Sequence, residues 1–173
     1  ALGWARYLQR EQLADFLQAV REDGREGFPA PREPADEHVL VEYISPQSWQ
    51  NRQVEGYDML SEPIRRLAIE TAQRSGQAVL SAPVTLRQDI DDNRLTGVIL
   101  YLPVYARGAL LQDPEARQQQ LTGLVYGGFR SQELMDGILG PQSRLFSIAI
   151  RDQAATNREL LSVDSLASLH PAR

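Results

Sequence analysis

Apolar and polar positions along the chain fall into well-separated blocks. Leu2 to Leu8, LGWARYL, is apolar and aromatic and predicts a first strand. Within EQLADFLQAVRED, Leu13, Phe16, Leu17 and Val20 recur at helical spacing, and Gly24 stops the helix. The proline-rich loop GFPAPREPADEH leads to a second strand, Val39 to Ile44, closed by Ser45-Pro46. PQSWQNRQVEGYDM has no strong period and is read as short helical turns. The cleanest local signal follows. Ser61 suits an N-cap, and Pro63 suits the first turn, where its missing N–H costs nothing. Ile64, Leu67, Ala68 and Ala72 share one face, and Gly76 is a natural stop.

Three strand candidates come next: Ala78 to Leu86, Gly97 to Ala106, and Leu121 to Phe129. A polar hairpin connection, RQDIDDNRLT, joins the first two, and a glutamine-rich helical link joins the second to the third. Neighbouring strands joined this way are most simply antiparallel. The resulting order predicts an α+β fold, an antiparallel sheet whose helices lie between the second and third strands and cover one face. GVILYLPVYA is apolar on both pleat faces, so the second face needs a cover of its own. After Phe129 the pattern restarts. RSQELMDGILG predicts a helix with Leu134, Met135, Ile138 and Leu139 apolar, and RLFSIAIRD and RELLSVD predict strands.

Composition narrows the function classes. The chain has 173 residues, 42% hydrophobic and 24% charged, with a net charge of −5, as expected of an ordinary globular domain rather than a disordered tail. The acidic balance argues against a nucleic-acid partner. All 18 basic residues are arginine and they are scattered, which reads as a coding bias rather than an anion-binding cluster. The absence of cysteine excludes disulfides, thiolate metal sites and cysteine nucleophiles. No apolar run approaches the ~20 residues of a spanning helix. The chain opens directly on a strand-like stretch, which reads as a piece of something longer.

Catalytic and metal motifs are sparse. The two histidines, His38 and His170, lie far apart, and neither has a second ligand type at metal spacing. Asp89, Asp91 and Asn93 begin like a calcium loop. Arg94 stands where the turn needs glycine and Leu100 where a bidentate glutamate is needed, so the stretch is read as a solvated hairpin. Gly127-Gly128 permits close backbone packing, with an anion cradle as the alternative. No nucleophile elbow accompanies a serine, which leaves a serine hydrolase as a distant reading. Asp58, in EGYDMLSEP, sits between oily neighbours. It serves either as a local turn or cap residue or as a buried carboxylate whose missing donor a ligand supplies.

The ordered set GYDMLSEPIRRLAIETAQRSGQAVLSAPVTL, GVILYLPVY and GLVYGGF resembles the CHASE domain, the extracytoplasmic sensory module of bacterial histidine kinases, diguanylate cyclases and related receptors, found also in plant cytokinin receptors. The resemblance covers roughly residues 1 to 140. It implies two PAS-like units behind a long stalk helix: a membrane-distal, ligand-binding unit over 1–129 and the start of a proximal unit over 130–173. The stalk would supply the cover for the second face. By correspondence with the cytokinin-binding members, Asp58 hydrogen-bonds the ligand and Leu80 offers main-chain contacts. Tyr101 and, on a looser alignment, Tyr126 replace small residues of the cavity. That replacement points to a small polar metabolite or a modified purine in place of a cytokinin. Tyr43 is a further wall candidate from its place at the end of the second strand.

Together these readings predict a non-enzymatic sensor that binds a small molecule without a cofactor or metal. It would sit in the periplasm or outside the cell, joined to the inner membrane by segments beyond this sequence, and signal as a homodimer. The rival is a structural or protein-binding PAS-like module without a ligand. A void of ~300 Å³ or more beside an unsatisfied Asp58 favours sensing, and a filled interior with Asp58 and Tyr101 satisfied favours the rival. On the sensing reading, Asp58→Ala weakens binding by about 1.5–3 kcal/mol.

Overall fold

In a computed structural model, described over residues 1–86, 96–130, 137, 148–152 and 158–163, β1 (Leu2–Gln9) runs straight into α1 (Arg10–Glu22). Gly24 beyond that helix has φ +83°, the left-handed conformation that ends it. Then come β2 (Glu37–Ser45), a short α2 (Trp49–Arg52), a single 3₁₀ turn (Met59–Ser61) and α3 (Pro63–Ser75). β3 (Val79–Leu80), β4 (Val84–Thr85), β5 (Thr96–Tyr105), α4 (Pro114–Gln120) and β6 (Leu121–Arg130) follow. The sheet runs β2-β1-β6-β5-β3, with β4 also paired to β5, and every pairing is antiparallel. This is the α+β, PAS-like arrangement expected, with the helices inserted between the second and third strands. Farther on, β7 (Ile148–Asp152) and β8 (Arg158–Val163) form a two-stranded antiparallel sheet. Of the expected helix, residues 131–136 and 138–140 lie outside the described residues, as do Asp89, Asp91 and Asn93.

α3 is set by its caps. Glu62, not Ser61, is the N-cap: its carboxylate accepts from the backbone N–H of Ile64 and Arg65, while the Ser61 hydroxyl donates to Asp58 O. An acidic cap also complements the helix dipole. Gly76, at φ +70°, closes the other end. The buried stripe is Arg65, Ala68, Ile69, Ala72 and Gln73. The expected face was therefore rotated: Leu67 is exposed, and an arginine occupies the inward position.

The inner face of the sheet packs against α3 and the 3₁₀ turn. Ala5, Val39, Val41, Ile99, Tyr101, Leu124 and Tyr126 meet Met59, Leu60, Ala68, Ile69 and Ala72 in one core cluster. α1 lies on the opposite face, so helices cover part of both. Its Leu17 and Val20 join Phe28 in a second cluster, and Arg6, which points away from Ala5, lies 6.0 Å from the Phe16 ring. A bulge in β2 makes room for this attachment: Trp4 pairs with Tyr43 but Ala5 with Val41. The extra residue, Glu42, is buried and accepts hydrogen bonds from Trp4 Nε1 (3.1 Å) and Arg6 Nε (2.8 Å). Arg25 donates to its main-chain oxygen.

The stretch expected as one strand, Ala78 to Leu86, is broken. Leu80 pairs with Leu100 but Val84 with Gly97, so one extra residue is looped out around Ser81–Pro83. The Ser81 hydroxyl accepts from Ile99 N and donates to Ala82 O, and Pro83 has no N–H for the ladder. On β5, Ile99 and Tyr101 point into the core. Leu100 and Leu102 stand on the other face, where with Leu2, Leu80 and Phe129 they are 39–58% exposed.

Gly3 lets the Tyr126 ring lie across β1. A Cβ there would clash with the ring and hydroxyl of Tyr126. Gly3→Ala is expected to cost about 1–3 kcal/mol by overpacking, measured by urea denaturation. A change within 0.3 kcal/mol (roughly the scatter of such measurements) would show that the ring relocates freely.

Candidate functional site

The local structure around Asp58 answers the question its sequence poses. Oδ1 accepts from the backbone N–H of Leu60 (3.0 Å), as the cap of the 3₁₀ turn, and from Val39 N (3.1 Å). Oδ2 lies 2.7 Å from Nδ1 of His38, whose side chain is 1% exposed. A carboxylate can only accept, so His38 presents its Nδ1–H. Asp58 thus holds the 3₁₀ turn against β2, and protein groups supply its donors. It also lines an open cleft of about 480 Å³ with Pro29–Glu33, Gln53, Glu55, Tyr57 and Ser61.

Of the buried side-chain atoms without a hydrogen-bond partner among the described residues, Arg25 Nε lies by Glu42 and Tyr43, Gln73 Nε2 belongs to α3, and the other three lie between α3 and the sheet. Tyr101 and Tyr126 are register partners on β5 and β6, both on the inner face and 0% and 5% exposed. Neither hydroxyl makes a hydrogen bond of good geometry among the described residues, and neither does Arg65 Nε, although the Arg65 side chain lies near enough to the Tyr101 hydroxyl to act on it as a weak donor. Arg65 is 5% exposed, donates from one terminal nitrogen to Thr85 O (2.9 Å), and stacks on the Tyr57 ring at 5.2 Å. Glu62 Oε2 lies 3.8 Å from Arg65 Nε, outside hydrogen-bond reach, and is already engaged as the cap of α3. Arg65, Tyr57 and Tyr126 line a small internal cavity with Val41, Ile44, Val54, Met59 and Ile99. Its free space is about 20 Å³, enough for one water molecule and far below the ~300 Å³ expected of a sensing cavity. With Asp58 paired as well, those two signs fall to the rival, and the unpaired Tyr101 hydroxyl falls to sensing.

The other two candidates point elsewhere. Tyr43 is not a wall of the chamber. It is half exposed on the opposite face, its ring 4.5 Å from the Arg25 guanidinium and its hydroxyl accepting from Arg25. The bulge at Glu42 turns it outward. Leu80 directs its side chain to the exposed outer face and pairs through its main chain with Leu100.

Burial raises the Tyr101 phenol well above its ordinary 10.0, with the Arg65 charge opposing. Burial likewise raises Tyr126. A phenol whose folded pKa lies above its unfolded value keeps its proton in the folded state while the unfolded chain loses it. Its contribution is complete below pH 10 and is lost as pH rises beyond it. Stability is expected to fall above about pH 10 by ~1.4 kcal/mol per pH unit for each of the two phenols. Denaturation at stepped alkaline pH, with Tyr101→Phe and Tyr126→Phe removing one proton each from the slope, checks this. Slopes identical in wild type and both variants would contradict it.

Arg65 escaped the sequence reading, though a signal was there. Positions 65, 68, 69 and 72 form a helical stripe as regular as 64, 67, 68 and 72, and an arginine on an otherwise apolar stripe is the signal that marks it. Among the described residues no cluster of three His, Cys, Asp or Glu could hold a metal ion, and no helix is long and apolar enough to cross a membrane.

The model of the CHASE domain family matches residues 1–162. The chain is also 32% identical over 138 residues to "Probable histidine kinase 3" of Oryza sativa subsp. japonica, and equally to that of subsp. indica. The matched region is 76% of this chain but 12% of those proteins' length. With nearly the whole sequence matched, the chain belongs to the CHASE domain family of receptor sensory domains.

Proposed function

We propose that this domain is the extracytoplasmic ligand-binding part of a membrane-bound signalling receptor, and that its ligand occupies the chamber between α3 and the inner face of the sheet. One observation carries the reading. Two residues with a buried, unpartnered polar atom, Arg65 and Tyr126, line one small cavity, and a third, Tyr101, lies beside Tyr126 in the same core cluster. Buried polar groups are normally paired, and leaving one unpaired costs about 1–3 kcal/mol. A ligand that pairs them recovers that cost. In the present packing the chamber admits little more than a water, so binding requires α3 or its side chains to shift against the sheet. That shift is the signal, provided the ligand prefers the opened packing. Residues 1–129 form the distal, sensing unit and 130–173 begin the proximal one. A stalk helix and a second copy of the receptor carry the change to a kinase or cyclase output.

The exposed leucines of the outer face support a second reading, in which the domain is a dimerisation or protein-binding module. Methyl NMR separates the two. A metabolite that shifts the Met59 and Ile99 methyls and leaves Leu100 and Leu102 unmoved supports the chamber. Shifts confined to Leu100, Leu102 and Leu80 on self-association support the module.

A further inference from the structure

The polarity of the unpaired groups bears on what the chamber accepts. The sequence pointed to Asp58, hence to a ligand that donates N–H or O–H groups. In the structure that carboxylate is supplied with donors from His38, Val39 and Leu60. What remains unpaired is of the opposite kind. A guanidinium has donors only, and a phenol hydroxyl donates readily.

We infer that the chamber recognises a small carboxylate, with Arg65 as its anchor and the Tyr101 and Tyr126 hydroxyls as further donors. The inference rests on the chamber being the ligand site. A carboxylate offers acceptor positions alone, enough for several donors, and its charge matches the guanidinium. The surrounding Val41, Ile44, Val54, Met59 and Ile99 exclude water and strengthen each such bond. An amine would bring donors to donors and a positive charge to a positive charge. A matched amide keeps the shape but loses the charge and turns one acceptor into a donor.

Size and access point the same way. Free space of about 20 Å³ favours a guest of a few heavy atoms over a fused ring system. Tyr57 lines both this cavity and the open 480 Å³ cleft. Its backbone is held, Tyr57 N donating to Val54 O and Tyr57 O accepting from Val41 N, and its ring stacks on Arg65 at 5.2 Å. A rearrangement that moves this ring joins cleft to chamber; the anion itself meets the in-plane N–H edge of the guanidinium, not the face the ring covers. The same arginine donates to Thr85 O from the first turn of α3. An anion that pulls on Arg65 therefore acts on the contact between α3 and β4.

The test is titration calorimetry on the 173-residue chain in a carboxylate-free buffer. The probes are acetate, propionate and pyruvate, each against its matched amide where one exists, and adenine as a neutral ring. At least one carboxylate is expected to bind, its amide at least tenfold more weakly. Arg65→Met should lose tenfold or more, Arg65→Lys less, since lysine keeps the charge without the planar fork. Should Arg65→Met fold poorly, Tyr101→Phe is the second variant, with a severalfold loss expected. Equal binding of acid and amide, or undiminished carboxylate binding in the variants, overturns the inference. So does the absence of carboxylate binding at tens of millimolar. Adenine bound by wild type and lost in Tyr101→Phe would overturn it while leaving the chamber as a sensory site. Failure of every probe, with no variant effect, would count against both.

Discussion

Asp58→Ala is expected to destabilise the domain by about 3–5 kcal/mol in urea denaturation. The carboxylate accepts from Leu60 N, Val39 N and His38 Nδ1. Removing it leaves two backbone donors and a buried imidazole to find partners, and frees the 3₁₀ turn from β2. Loss of a helix cap alone costs about 1 kcal/mol, and each hydrogen bond to a charged group about 1.5–3, the sum being less than additive because the groups share one acceptor. Asp58→Asn, which keeps the shape and part of the hydrogen bonding, should lose less. The ligand effect expected from sequence becomes secondary to this structural one. A loss under 1 kcal/mol (about what an ordinary cap contributes) would mean that the three bonds are replaced, and would return Asp58 to the candidate ligand contacts.

The converse is expected of the two tyrosines. Tyr101→Phe combined with Tyr126→Phe should raise stability by about 2–4 kcal/mol, because each change deletes a buried hydroxyl without a partner and leaves the ring in place. The rings are register partners on adjacent strands, so the two effects are not fully independent. A gain of stability on removing polar atoms is the mark of groups kept for another purpose than folding. If the double variant is destabilised by 1 kcal/mol or more (the scale of one net hydrogen bond), the hydroxyls are paired in solution and the chamber loses its main argument.

Much of the architecture was legible in the sequence because local patterns were strong. The strands near Leu2, Val39, Gly97 and Leu121 and the helix stop at Gly76 follow from alternation, β-rich runs and an αL glycine. What the pattern could not reveal depends on tertiary contacts. The rotation of α3 by one position follows from Glu62 capping it and from Arg65 reaching Thr85. The outward turn of Tyr43 follows from a bulge whose extra residue is Glu42, and a lone glutamate in VLVEYI does not by itself show where the register shifts. Tyr101 and Tyr126 were singled out by resemblance, and the structure places them side by side in one core cluster, neither hydroxyl having a hydrogen bond of good geometry. Asp58 was singled out from EGYDMLSEP itself, and its cap role through Leu60 N was legible there, but its other two partners sit 19 and 20 residues away on β2, beyond any local reading.

The chamber beneath α3 is tested most directly by melting the 173-residue chain and its Tyr101→Phe/Tyr126→Phe variant across one panel of small acids, amides and purines. A ligand of the folded state raises the melting temperature with the logarithm of its concentration, by roughly 2–4 °C for each kcal/mol. At least one compound is expected to do so for wild type, and to need at least tenfold higher concentration for the same shift in the double variant. Equal shifts in both proteins would contradict the account.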